Sequence, residues 1–326
     1  MATNAGKRWR SWLVEYRETR QGYVDALIEL AAADDRIVVL DCDVAKATKT
    51  YEFERAFPRR FFNCGVQEGN MMSVAAGMSL EGFIPFATTF GVFATCRAGD
   101  QVRNSIAYPK ANVKIGATHC GVTTGGDGAS HQANEDIAIM RSFPNMTVLA
   151  PGDYQEAKEA TIAASRMNGP VYLRFGRDKY PVCPELRDGF AVGRAKEIRA
   201  GNDLTIVTTG ILVTEALAAA ASLGERGLGA RVLHMATVKP LDEDALLRAA
   251  KETRGFVTVE EHSIIGGLGE AVAGFLSATL PRPVRRVGMR DVFGQSGRAA
   301  ELLDLYGMRA RNIVDEALAL GIGETH

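Results

Sequence analysis

His119, Asp127 and His131 fall within thirteen positions of a 326-residue chain that holds five histidines in all. The stretch Thr123 to His131 reads TTGGDGASH. Glycine-rich turns let backbone N–H groups approach an anion closely. Imidazoles beside a carboxylate suit proton transfers around an anionic substrate. The loop is neither a Walker loop, which needs a following Gly-Lys-Ser/Thr, nor a dinucleotide fingerprint, which needs a strand before it and a helix directly after. Taken bare, it also reads as a plain surface loop. The company of two histidines and an aspartate is what makes it a candidate site.

Glu68 opens a segment otherwise built from Met71, Met72, Val74, Ala75, Ala76 and Met78. One reading is structural, since a first-turn glutamate complements the positive end of a helix dipole. The other is chemical: a carboxyl desolvated by Met and Ala side chains can share or donate a proton near neutrality. Phe90 and Phe93 stand three apart, just after Phe83 and Phe86. Such aromatics are usually core, but they could equally offer a stacking face to a heteroaromatic ring. Glu260, Glu261 and His262 end an apolar run before IIGGLGEA, where capping of strand and helix is the leading reading.

The elements that must position these groups follow from periodicity. GYVDALIELAAADD has helical spacing and runs into the β-branched RIVVLDCD. Helix followed by buried strand then repeats: FFNCG, a helix from Gln67 to Leu80, the strand FIPFATT, a helix through Phe93 to Ile106, and VKIGATH. NMTVLAP, a helix starting near Tyr154, and VYLRF continue it. This is the pattern of an α/β domain with a largely parallel sheet. Pro181 and Pro184 break it between Tyr180 and Asp188, which predicts a linker between domains at 1–185 and 190–326. A second, smaller α/β unit follows. It comprises DLTIVTTG, a helix Val213 to Gly224, ARVLHMA, a helix Asp242 to Lys251, GFVTVEE, a helix after Gly266–Gly267, PVRRVGM and a closing helix near Ile313. The halves share no repeated sequence.

Composition bounds the rest. Hydrophobic residues at 46% and charged residues at 24% are ordinary for a globular chain and supply two cores. Lys+Arg of 38 against Asp+Glu of 39 argues against a general nucleic-acid binder, which needs a basic surface. Five scattered cysteines without CxxC or Cys/His spacing indicate neither a disulfide framework nor a zinc site. Lys7, Arg8 and Arg10 beside Trp9 and Trp12 lack the apolar core of a signal peptide. No apolar run approaches the ~20 residues of a membrane span. A cytoplasmic protein is the expectation.

Glu68 within GVQEGNMMSVAAGMSLEG, followed by ATTFGVFATCRAGDQVR, ATHCGVTTGGDGASHQANEDIAIMRSFPNMTVLAPGD and LRFGRDKYP, resembles the transketolase family, and the likeness continues through LTIVTTG and VEEHSIIGGLGEA. It covers nearly all of this chain but only the family's C-terminal two-thirds, the pyrimidine-binding domain and the C-terminal domain. The resemblance implies that Glu68 matches the glutamate that hydrogen-bonds the aminopyrimidine ring of thiamine diphosphate and promotes its imino tautomer. Phe93, with Phe90 beside it, matches the aromatic that stacks on that ring. His119, Asp127 and His131 match residues that contact substrate hydroxyls and phosphate and assist proton transfer. Arg20 and Arg177, with His119, match the phosphate-binding set, and Asp43 a residue near the cofactor at a subunit interface.

Departures from the family pattern bear on the substrate. Cys96 stands where a second ring-contacting tyrosine is common, Cys120 where an aspartate follows the histidine, and Ala47 where a serine grips phosphate, with Thr48 as its possible substitute. The domain that binds the diphosphate and Mg²⁺ has no counterpart. The GDG at 126–128 imitates its metal motif, but Asn134, Asn145 and Asn168 do not complete it, so no metal ligands are assigned. The resemblance therefore implies the small subunit of a split transketolase, moving a two-carbon ketol unit between ketose and aldose phosphates. Its partner would be an N-terminal subunit carrying the diphosphate-binding domain, in a heterotetramer with self-association across a two-fold axis. Alternatives are a deoxyxylulose-phosphate-synthase-like or 2-oxoacid-dehydrogenase-β-like subunit, or a non-catalytic regulatory paralogue.

Overall fold

A computed structural model describes residues 15–187 and 189–322. The basic, aromatic stretch around Trp9 and Trp12, and Asp188 of the expected linker, lie outside the described residues. The first half holds β1 (Tyr16–Glu18), β2 (Ile37–Asp41), β3 (Phe61–Asn63), β4 (Ile84–Phe90), β5 (Lys114–Thr118), β6 (Thr147–Leu149), β7 (Val171–Arg174) and β8 (Lys179–Pro181). The second holds β9 (Lys196–Arg199), β10 (Leu204–Thr208), β11 (Ala230–His234), β12 (Thr237–Lys239), β13 (Phe256–Ser263) and β14 (Val284–Met289). The main sheet has the order β12-β6-β7-β5-β4-β2-β3, and a second has the order β14-β13-β10-β11-β9.

Strands β2, β4 and β5 are buried along their whole length because helices cover both faces, which is why they read as largely apolar runs without a polar alternation. Ile37 and Val39 point into one layer with Tyr23, Leu27, Ala157 and Ala160 of helices Thr19–Ala33 and Tyr154–Arg166. Val38 and Leu40 point the other way, toward Met71, Met72 and Ala75 of helix Glu68–Leu80. The first pair of helices packs closely because Gly22 has no side chain. A Cβ there would stand 2.1 Å from the Tyr154 carbonyl oxygen.

Three features go beyond the sequence reading. β12 comes from the second half yet pairs antiparallel with β6, covering an edge of the first sheet. The residues expected to link the domains are themselves packed in place. β8 pairs with β1, while Cys183 and Leu186 pack with Val213 in a buried cluster. The helix expected through Phe93 to Ile106 is wound largely with i→i+5 hydrogen bonds, over Phe93–Arg97 and Val102–Ala107, a winding often found at functional sites.

Candidate active site

Most of the candidate residues leave the carboxyl ends of parallel strands, where α/β sheets bind their ligands. Asp43 follows β2, Glu68 follows β3, Phe90 ends β4 with Phe93 just beyond, His119 follows β5 and Arg177 follows β7. Arg20 comes from the helix after β1. The pairing of Glu18 with Lys179 in β1–β8 carries it beside Arg177.

Glu68 is 3% exposed, and both its oxygens accept from Arg97 Nη1 at 3.1 Å. The Arg97 guanidinium lies over the Phe93 ring, 4.3 Å from its centroid. Phe93 in turn stacks with Phe90 (5.8 Å, 16°), and Phe90 with the His119 ring (3.8 Å, 22°). His131 meets both phenylalanines edge-on, with its Nδ1 in contact with Ser130 Oγ at 2.9 Å. The two phenylalanines thus sit between a buried carboxylate and two imidazoles. Arg97 was not singled out from the sequence; its one local signal is its position four residues after Phe93.

At the other end, Arg20 Nη1 donates to the Ala47 carbonyl and approaches His119 Nε2 at 3.5 Å. A guanidinium can only donate, so Nε2 accepts and the proton sits on Nδ1, facing Thr118 Oγ1 at 2.9 Å. Burial, reinforced by Arg20, Arg177 and His131, pushes the His119 imidazole down to about 3. His119 is therefore a neutral ring at pH 7 and not a standing positive charge for a phosphate. Arg177 donates to the Thr124 carbonyl at 2.7 Å and lies 3.5 Å from Asp127. Arg20, Arg177, Lys179 and residues 123–126 line a cleft of about 540 Å³, closed on its far side by 297–300 of the second half.

The glycine-rich loop owes its path to Gly121, Gly125 and Gly128, with φ of 80°, 78° and 75°, where a side chain would be strained. Gly121 is doubly required, because a Cβ there would lie 2.3 Å from the Glu261 carboxyl carbon. Glu261, on β13, accepts from Thr123 N through Oε1, while its buried Oε2 has no partner among the described residues. Burial raises Glu261 to about 7, against the pull of Arg174 and Thr123. Arg174 ties the halves together, donating to both oxygens of Asp136 (3.1 and 2.8 Å) and to the carbonyls of Ala133 and Glu261. Glu260 caps the helix Leu268–Thr279 by accepting from Leu268 N and Gly269 N, as expected for that position. Glu261 goes beyond capping and holds the loop across the seam.

Other residues stand apart. Asp43 is exposed, with a φ of 64°, and accepts from Asn63 Nδ2; among the described residues no hydrogen bond joins it to the aromatic cluster. Cys120 is buried against Tyr172 and the space over Gly91, so its side chain serves the core. Cys96 is exposed, near Glu135. Thr48 does not substitute for the missing serine, because its buried hydroxyl bonds Asp41 Oδ2 and contacts Thr50 Oγ1. Among the described residues no group of three or more His, Cys, Asp or Glu is placed to hold a metal ion, and no helix is long and apolar enough to cross a membrane.

Two family models match the chain: transketolase, pyrimidine binding domain, over residues 15–182, and transketolase, C-terminal domain, over 193–313. A transketolase C-terminal section of Methanocaldococcus jannaschii is 47% identical over 91% of this chain and 94% of its own length. The 6-deoxy-6-sulfo-D-fructose transketolase subunit of Clostridium sp. strain MSTE9 is 44% identical over 91% and 92%. A solved structure of a split gene transketolase, an inactive β4 tetramer, is 49% identical with a TM-score of 0.86, covering 94% of this chain and 99% of that one. Transketolase from Campylobacter jejuni shares the fold at 21% identity and a TM-score of 0.81, and there this chain spans 48% of the length, less than the two-thirds expected. With both domains matched in order and relatives of its own length, the chain belongs to the transketolase family, of which it carries the pyrimidine-binding and C-terminal domains.

Proposed function

We propose that this chain is the small subunit of a split, thiamine-diphosphate-dependent transketolase, active only beside a second subunit. The observation that carries the reading is Glu68, 3% exposed and next to the stacked pair Phe90–Phe93. A buried carboxylate beside an aromatic face fits the aminopyrimidine end of the cofactor. The diphosphate and Mg²⁺ end is not matched by these residues: Asp127 of the GDG faces Arg177, so that end falls to the partner.

Thiamine diphosphate, when bound, supplies the carbon nucleophile that carries the two-carbon unit. Phe90 and Phe93 orient its ring, and Glu68 exchanges a proton with a ring nitrogen through a carboxyl oxygen. Asp43, on the exposed turn after β2, is assigned to the subunit interface near the cofactor. His119 and His131 serve the substrate hydroxyls, His119 as a neutral ring able to accept a proton, with Asp127 close by. Arg20 and Arg177 orient the anionic end of a ketose or aldose phosphate by charge-assisted hydrogen bonds. The Clostridium relative is named for a sulfonated ketose, so the same arginine pair warrants testing with a terminal sulfonate.

Division into domains at 1–185 and 190–326, a cytoplasmic location and a heterotetramer on a two-fold axis belong to the same reading. The free state of all five cysteines supports the location. A relative that forms an inactive β4 tetramer supports self-association of small subunits. The test is reconstitution. Alone, the chain should bind thiamine diphosphate and Mg²⁺ negligibly in calorimetry, and mixing with an N-terminal subunit should restore binding and ketol transfer. Tight, metal-dependent binding by this chain alone would refute the split-enzyme reading; a complex that binds cofactor but turns over no ketose would favour the regulatory alternative.

A further inference from the structure

Arg97 has no part in the reaction as described, yet it occupies the ground that the cofactor ring needs. Its guanidinium stacks on Phe93 at 4.3 Å and donates to both oxygens of Glu68 at 3.1 Å. An aromatic face and a buried carboxylate are the two surfaces assigned above to the aminopyrimidine. A flat, delocalised group with N–H donors on its edge resembles that ring in shape and in donor chemistry. We propose that Arg97 is a displaceable occupant of the ring seat, holding Glu68 in the unloaded chain and swinging out when the cofactor enters. This inference rests on the cofactor reading above.

Three observations support the exchange. Glu68 has no other hydrogen-bond partner among the described residues and is 3% exposed, so without Arg97 a buried carboxylate would stand alone until another donor replaced it. Arg97 is itself 51% exposed, and among the described residues its guanidinium makes no other hydrogen bond, so only the Glu68 contact and the Phe93 face hold it inward. The third is chemical. With both oxygens accepting from Arg97, neither is free to meet a ring nitrogen, and the assigned role of Glu68 begins only once Arg97 has left. The contact therefore keeps the glutamate inactive until the seat is filled.

Two measurements test this. In the chain alone, Arg97→Ala should lower the urea midpoint, and most of that shift should vanish in a Glu68→Gln background, because the two side chains act as a pair. Additive shifts would overturn the contact. In the reconstituted complex, thiamine diphosphate titrated with Mg²⁺ should bind Arg97→Ala about 3–30-fold more tightly than wild type, since the ring no longer competes with a resident group. Should Arg97→Ala fail to assemble, Arg97→Gln keeps a neutral donor and should tighten binding to a smaller degree. Unchanged binding would show that the guanidinium stays in place, and weaker binding that it is a cofactor ligand; either result overturns the proposal. A wild-type complex that takes up no cofactor would refute the cofactor reading and the exchange with it, while the coupling in the chain alone would still report whether Arg97 and Glu68 pair.

Discussion

Arg177→Ala separates a substrate role from a structural one. The guanidinium makes one anchoring bond, to the Thr124 carbonyl at 2.7 Å, and faces Asp127 at 3.5 Å, leaving N–H groups directed at the cleft. A hydrogen bond to a charged group contributes ~1.5–3 kcal/mol, or about 10–150-fold in affinity. The side chain is 39% exposed and part of its charge already faces Asp127, which places the loss near the lower end, at about 10–30-fold. With the reconstituted enzyme, KM for a ketose phosphate should rise by that factor with kcat little changed, while hydroxypyruvate, which has no phosphate, should be used as before. Losing the Thr124 anchor could also disturb the loop. Arg177→Gln controls for this because it retains an N–H donor for that carbonyl but no charge, and should behave like Arg177→Ala. Equal losses for the two substrates, or rescue by Arg177→Gln, would show that the arginine only holds the loop and would refute the reasoning.

Glu68→Gln should leave folding and assembly intact and lower turnover by ~10²–10⁴-fold, the usual size of a general acid–base step. Exchange of the thiazolium proton in the reconstituted complex reads this directly, and a wild-type exchange rate would remove Glu68 from its assigned role. Glu261 holds its proton in the folded chain up to about pH 7, whereas the unfolded chain releases it near 4.5. It therefore opposes stability increasingly as pH rises from 4.5 to 7, by up to ~1.4 kcal/mol per pH unit. Glu261→Gln should remove that component, so urea midpoints measured across this window should rise with pH relative to wild type; parallel profiles would contradict the assignment. Arg174→Met leaves the buried Asp136 carboxylate without its cation and should cost about 3–5 kcal/mol. The double variant with Asp136→Asn should fall well short of the sum of the single losses, and strict additivity would show that the pair does not act as a unit.

Local pattern alone determined much of this molecule. Strands β2, β4, β5, β7, β10, β11 and β13 were legible because a strand covered on both faces is dominated by apolar and β-branched residues, and their helices because one stripe must face the sheet. The order of Glu68, Phe90, Phe93, His119, Asp127, His131 and Arg177 along the chain carried the family likeness and, with it, the candidate site. Short edge strands such as β9 and β12 escaped, since three or four residues are too few to show a periodicity. The tertiary structure alone decided what each site residue faces. Glu261 reaches Thr123 across 138 positions and Arg174 reaches Glu261 across 87; Thr48 spends its hydroxyl on Asp41, and Arg97 fills the space beside Glu68. Propensity and periodicity act over a turn or a strand, whereas the partner of a buried polar group is chosen by which distant element packs there.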